Sequence, residues 1–129
     1  MMDKLAYSLE SDKPFETVVA NIERETAANQ FRVLHVHDVQ ATLAEKGMQR
    51  DPLKIIEVCN AGFADKALRK NVNVALFMPC KFSVYRDGAK TIVSLARPTM
   101  IAEMLPQAGL DELAANVEAT LRKVMLASV

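Results

Sequence analysis

Val74-Ala75-Leu76-Phe77-Met78-Pro79-Cys80-Lys81-Phe82-Ser83-Val84-Tyr85-Arg86-Asp87-Gly88, followed by Lys90-Thr91-Ile92-Val93-Ser94-Leu95-Ala96, is the stretch whose reading decides the fold. Aromatic and β-branched residues dominate both halves, and Asp87-Gly88 between them is a strong hairpin signal. The pattern predicts a long strand over 74–86, a tight turn, and a second strand over 90–96 that Pro98 ends.

Working outward, residues 54–59 (KIIEVC) and 31–39 (FRVLHVHDV) read as two further strands, and residues 5–10 as a short one. Ser11 or Asp12 supplies a capping oxygen for a helix over 13–29, with Pro14 in its first turn. Phe15, Val18, Val19, Ile22 and Thr26 recur there at helical spacing, and Asn29 is placed to stop the helix in a left-handed conformation. Asp38 caps a short helix over 39–46 ended by Gly47, and Asn60 caps another over 61–70, with Phe63, Ala64, Ala67 and Leu68 on one side. Leu110, Leu113, Ala114, Val117, Leu121, Val124 and Met125 share one face of a final helix over 110–127. The expectation is an α+β fold: a single antiparallel sheet of about five strands, with the two long helices packed on one face.

Composition bounds the function by exclusion. The 129 residues suit one domain over 1–129, half of them are hydrophobic, and no repeat or linker interrupts them. Lys+Arg and Asp+Glu both number 16, so the net charge is zero, which argues against nucleic-acid binding. With aromatics at 5% and no Trp, stacking platforms are scarce. The four glycines are scattered and form no phosphate loop, and no cofactor is expected. No secretory leader is legible in the first residues, and no apolar run approaches the roughly 20 residues of a membrane span. The expected setting is cytoplasmic, with both cysteines reduced.

Side chains alternate across a sheet, so each strand divides into two sets. Leu34 and Val36 oppose His35 and His37; Ile56 and Val58 oppose Glu57 and Cys59. Leu76, Met78, Cys80, Phe82 and Val84 oppose Phe77, Pro79, Lys81, Ser83 and Tyr85. The first set of each is the natural partner of the helices, and the second is mixed. Regular strands would put Cys80 in the core and Cys59 on the opposite face, which forbids a disulfide; a bulge at Pro79 would void that argument.

The mixed set carries the candidate chemistry. His35 and His37 lie two residue-rises apart on one side of a strand, a spacing that chelates metals, with Glu57 and Cys59 able to complete the ligands from a neighbouring strand. Their plainer reading is a solvated or interface-facing sheet surface. Cys59 precedes a helix whose N-terminus would lower its pKa, or it is a small hydrophobe that fills space. Pro79 either opens a pocket by distorting its strand or marks an edge or bulge.

Glu57-Val58-Cys59-Asn60, then Met78-Pro79-Cys80, then Val84-Tyr85-Arg86-Asp87-Gly88 with Ser94 and Pro98, resemble the bacterial and archaeal family labelled domain of unknown function 302. Residues 31–34 and 38–43 look like that family's second strand and short helix. The chain departs from it at Ala61, Ala75 and Met78, where the family usually has proline, often has glycine, and has leucine. The resemblance implies a β-α-β(4)-α arrangement of the TATA-binding-protein-like class and brings no established activity.

Two functions are expected. The first is a module without catalytic activity of its own that forms a homodimer or binds a small molecule, because the half-apolar sheet face with Phe77, Pro79 and Tyr85 needs cover. The second is a thiol- or metal-dependent protein centred on Cys59, with His35, His37, Glu57 or Cys80 contributing. Candidate ligand-binding residues across both are His35, His37, Glu57, Cys59, Asn60, Pro79, Cys80 and Tyr85; none is assigned as catalytic.

Overall fold

A computed structural model describes residues 2–129. Five antiparallel strands form one open sheet: β1 (Ala6–Ser11), β2 (Arg32–Asp38), β3 (Leu53–Cys59), β4 (Cys80–Asp87) and β5 (Lys90–Ala96), in the spatial order β1-β5-β4-β3-β2. Helices α1 (Phe15–Ala28), α2 (Val39–Ala44), α3 (Ala61–Lys70), α4 (Pro98–Met104) and α5 (Asp111–Ser128) complete it, with short 3₁₀ turns at Val72–Phe77 and Pro106–Ala108. The fold is α+β with a single antiparallel sheet, as the patterning predicts. No described helix is long and apolar enough to cross a membrane.

The β4–β5 hairpin closes through two residues, because Asp87 pairs with Lys90. Gly88 takes φ 60° at the first central position, which a residue with a Cβ adopts at a cost. Register then sets the core. Tyr7, Leu95, Phe82, Ile56 and Val36 face one another across all five strands as a continuous apolar row. Phe82, Ile56 and Leu95 are completely buried, together with Val18 and Ile22 of α1 and Leu121, Val124 and Met125 of α5. Each such side chain contributes about 1.5–3 kcal/mol by leaving water. The two long helices are tied at their ends, where Asn21 Nδ2 donates to the Ser128 carbonyl at 3.1 Å.

The predicted elements shift in five places. Residues 74–79 are not strand: the Asn71 side chain accepts from Asn73 N, a 3₁₀ turn follows, and a cis Met78–Pro79 peptide leads into β4. Helix α4 was not foreseen; Pro98 ends β5 and also occupies the first helical turn, where its missing N–H removes no bond. α1 begins at Phe15 with Pro14 as its N-cap and no side-chain cap, because Ser11 belongs to β1 and its hydroxyl accepts from Lys13 N instead. Gln30, not Asn29, holds the positive φ of 62° that stops α1. Finally, β2 is irregular between Val33 and His35, so Leu34 has no partner on β3. Val33 and Val36 therefore pack on the core, and Leu34, expected inside, is 48% exposed.

Candidate functional site

At one end of β3 and β4, the chain turns out of the sheet into helices, and these meet over the sheet end without filling the space. The result is a cavity of about 90 Å³. Its floor comes from Val58 and Cys59 of β3 and from Cys80 at the start of β4. Its walls come from α3, the 3₁₀ turn, α4 and α5. The cause lies in residue size: Ala64 and Ala67 on α3, Ala102 on α4 and Ala114 on α5 all face the space, where larger aliphatics would meet across it. Phe31, Phe63 and Phe77 add aromatic walls, Phe31 and Phe63 being stacked at 6.0 Å between ring centres. Some lining residues, such as Val58 and Val74, are buried, while Phe77 and Leu113 are half-exposed, so the cavity runs from the core toward the surface.

Four of the eight expected site residues line this cavity: Cys59, Asn60, Pro79 and Cys80. Asn60 is committed to structure. Its Oδ1 accepts from Phe63 N at 3.0 Å as the N-cap of α3, and its Nδ2 donates to the Gln30 carbonyl at 2.9 Å. Each end of the amide thus holds one backbone partner. Pro79 contributes only hydrocarbon.

The register bears directly on the two cysteines. Cys80 is paired with Val58 and packs against the core, as expected. Cys59, the last residue of β3, pairs with Arg32 one step along from Val58 and also borders the cavity. Both are free thiols. Burial pushes the Cys59 thiol above the ordinary value, which favours its reading as a small space-filling side chain over a helix-activated one. Cys80 is pushed further, to about 11, by burial first and by the neighbouring Cys59 second, against the opposing pull of Lys81. Neither thiol is a ready nucleophile at neutral pH.

The other four residues lie on the opposite, open face of the sheet. Glu57 sits between His35 on β2 and Lys81 on β4 in the register, and Tyr85 pairs with Leu53. His37 Nε2 is 3.2 Å from a Glu57 carboxylate oxygen, and the His35 and His37 rings meet edge to face at 4.3 Å. Both histidines are exposed. Cys59 does not join them, so the expected four-ligand set is split between two sites. Among the described residues, no three His, Cys, Asp or Glu side chains are grouped to hold a metal ion.

Sequence reasoning missed most of the wall. Strand patterning covers Val74, Phe77 and Met78, and Pro98, Ile101 and Ala102 belong to α4, which the patterning does not predict. The signal was the alanines: at 64, 67 and 114 they occupy apolar-face positions where leucine is the usual choice.

Comparison with known proteins supports the same fold. The profile of the family described as "Domain of unknown function DUF302" matches residues 7–128. The structure is similar to the crystal structure of an uncharacterized conserved DUF302 protein from Bacillus stearothermophilus, with a TM-score of 0.91 and 29% identity over 97% of this chain and 98% of that one. A search of curated proteins finds no match. The chain belongs to the DUF302 family.

Proposed function

We propose that this DUF302 protein is a binding module for a small apolar or amphipathic molecule, held in the cavity between the β3–β4 end and helices α3, α4 and α5. The observation that carries this reading is the alanine-lined, partly accessible cavity itself. A close-packed interior would have filled that space, since empty volume costs about 24 cal/mol per Å³. Its only side-chain polar atoms are two thiols and an amide already bonded within the protein, so the occupant it suits is recognised by shape and apolar area rather than by hydrogen bonds.

The test is a heteronuclear NMR titration of the full chain with indole and cyclohexanol. Shift changes confined to residues around the cavity, and abolished in Ala102→Leu, are the expected result. Saturable changes on the open sheet face instead, or none at either site, would remove the reading.

Homodimerisation belongs to the same proposal but to the other surface. Leu53, Ile55 and Tyr85 are half-buried on the open sheet face, among Ser83, Glu57 and the two histidines, and this mixed character suits a self-complementary contact. Light scattering on the purified chain reads the mass directly. A monomer at high micromolar concentration would dismiss this part.

A further inference from the structure

We infer that the occupant of the cavity is a neutral molecule with one aromatic ring, selected over a saturated ring of the same size and over a ring bearing a carboxylate. This rests on the binding reading above and names the chemical class that the walls select.

Aromatic side chains are scarce in this chain and concentrated here. Of five phenylalanines in all, Phe31, Phe63 and Phe77 line this one cavity. They come from three separate segments: the residue before β2, helix α3 and the 3₁₀ turn. Phe31 and Phe63 stack at 6.0 Å between ring centres, with 28° between their planes, and so form one aromatic wall. Phe77 is half-exposed, where the cavity nears the surface. Cys59, Cys80 and Met78 also border the space and bring polarizable sulfur to it.

These walls discriminate between ring types. An aromatic ring meets phenylalanine edge to face or offset, and sulfur at a ring edge adds attraction, both beyond the gain from buried area. A saturated ring of equal size gains from buried area alone. Charge is excluded for a separate reason. Among the described residues, no Asp, Glu, Lys, Arg or His lines the cavity, so a carboxylate there would lose its hydration without a partner. Burial raises both thiols, Cys80 to about 11, and the floor stays uncharged at neutral pH. Volume limits the number of rings. An enclosed apolar cavity of about 150 Å³ holds a benzene. At about 90 Å³ and open toward the surface, this one takes a single ring whose substituent lies toward solvent.

The test is a heteronuclear NMR titration of the full chain, at neutral pH, with three probes of matched size: benzyl alcohol, cyclohexylmethanol and benzoate. Benzyl alcohol should saturate shift changes at the cavity residues with a Kd about tenfold below that of cyclohexylmethanol, and benzoate should leave them unmoved. Phe63→Leu and Phe77→Leu each remove a ring but keep an apolar side chain. Each should cut the preference to about threefold while changing cyclohexylmethanol binding little. Circular dichroism checks the fold of both, and if Phe63→Leu fails to fold, the half-exposed Phe77 decides. Equal Kd values for the two alcohols, an unchanged preference in the variants, or benzoate bound at the same residues would overturn the aromatic assignment and leave the binding reading standing. No response at the cavity to any probe would remove both.

Discussion

Replacing Ala102 by leucine tests whether the cavity is a site or a packing defect, because the two make opposite demands on stability and binding. Ala102 is 3% exposed on α4 and lines the cavity beside Ile101. The 90 Å³ space opens toward solvent, so the cost of an enclosed cavity, about 24 cal/mol per Å³, sets an upper bound of about 2 kcal/mol of unrealised stability. A leucine fills most of it but accepts some rotamer strain, leaving an expected gain of about 1 kcal/mol. For a chain of this length that is a rise of about 3–5 °C in Tm, readable by calorimetry. The variant should gain this stability and lose the NMR response to indole together, the usual exchange when a functional void is closed. A destabilisation of more than about 1 kcal/mol would show that the walls are already in contact and that the cavity argument fails. A gain in stability with indole binding intact would place the binding elsewhere.

Two further perturbations follow from other parts of the molecule. Glu118 is buried on α5, where it accepts from Arg97 Nε at 3.2 Å and from the Thr99 hydroxyl at 2.7 Å, holding the start of α4. Glu118→Ala should cost about 2–3 kcal/mol in urea unfolding, somewhat less than a fully buried pair because Arg97 is partly solvated; a loss under about 1 kcal/mol would mean α4 is held otherwise. The Cys80 thiol, raised from 9.0 to about 11, makes stability pH-dependent. The folded state keeps the proton longer than the unfolded one. Its contribution is therefore complete below about pH 9 and lost as pH climbs to 11, about 2–3 kcal/mol in all. Subtracting the profile of Cys80→Ala isolates this slope, and a flat difference between the two would refute the burial assigned to the thiol.

The fold was legible in the sequence wherever periodicity and turn chemistry agreed. The Asp87-Gly88 hairpin, the capping side chains of Asp38 and Asn60, and the apolar stripe of α5 all signal locally what the structure builds. Reading failed where a non-local effect outweighed a local one. Residues 74–79 carry strand-like side chains, but the Asn71 side chain opens a 3₁₀ turn that runs to Phe77, and a cis Met78–Pro79 peptide follows before β4 begins. Strict alternation placed Leu34 inside, and an unpaired residue in β2 rotated it out. The site was half legible for the same reason. Parity separated His35, His37, Glu57 and Tyr85 onto the open face correctly. It said nothing of the cavity that both cysteines border, because segments remote in sequence supply its walls. The cavity could not be read at all from motifs, since its defining residues are alanines.

The strand order has a consequence for how this chain comes to be folded. β1 and β2 lie at opposite edges of the sheet, and α1 carries the chain from one to the other across β5, β4 and β3. The first two strands to leave a ribosome therefore have no partner in each other. Each must wait for a strand made later: β2 for β3, and β1 for β5, the last of all. A nascent chain that ends before β3 exposes β1 and β2 unpaired together, and β1 stays unpaired until β5 is made, which is a hazard for association between chains during synthesis. Assembly is expected to start from the β3–β4–β5 meander, whose contacts are closest in sequence, and to end when the N-terminal strand docks against β5.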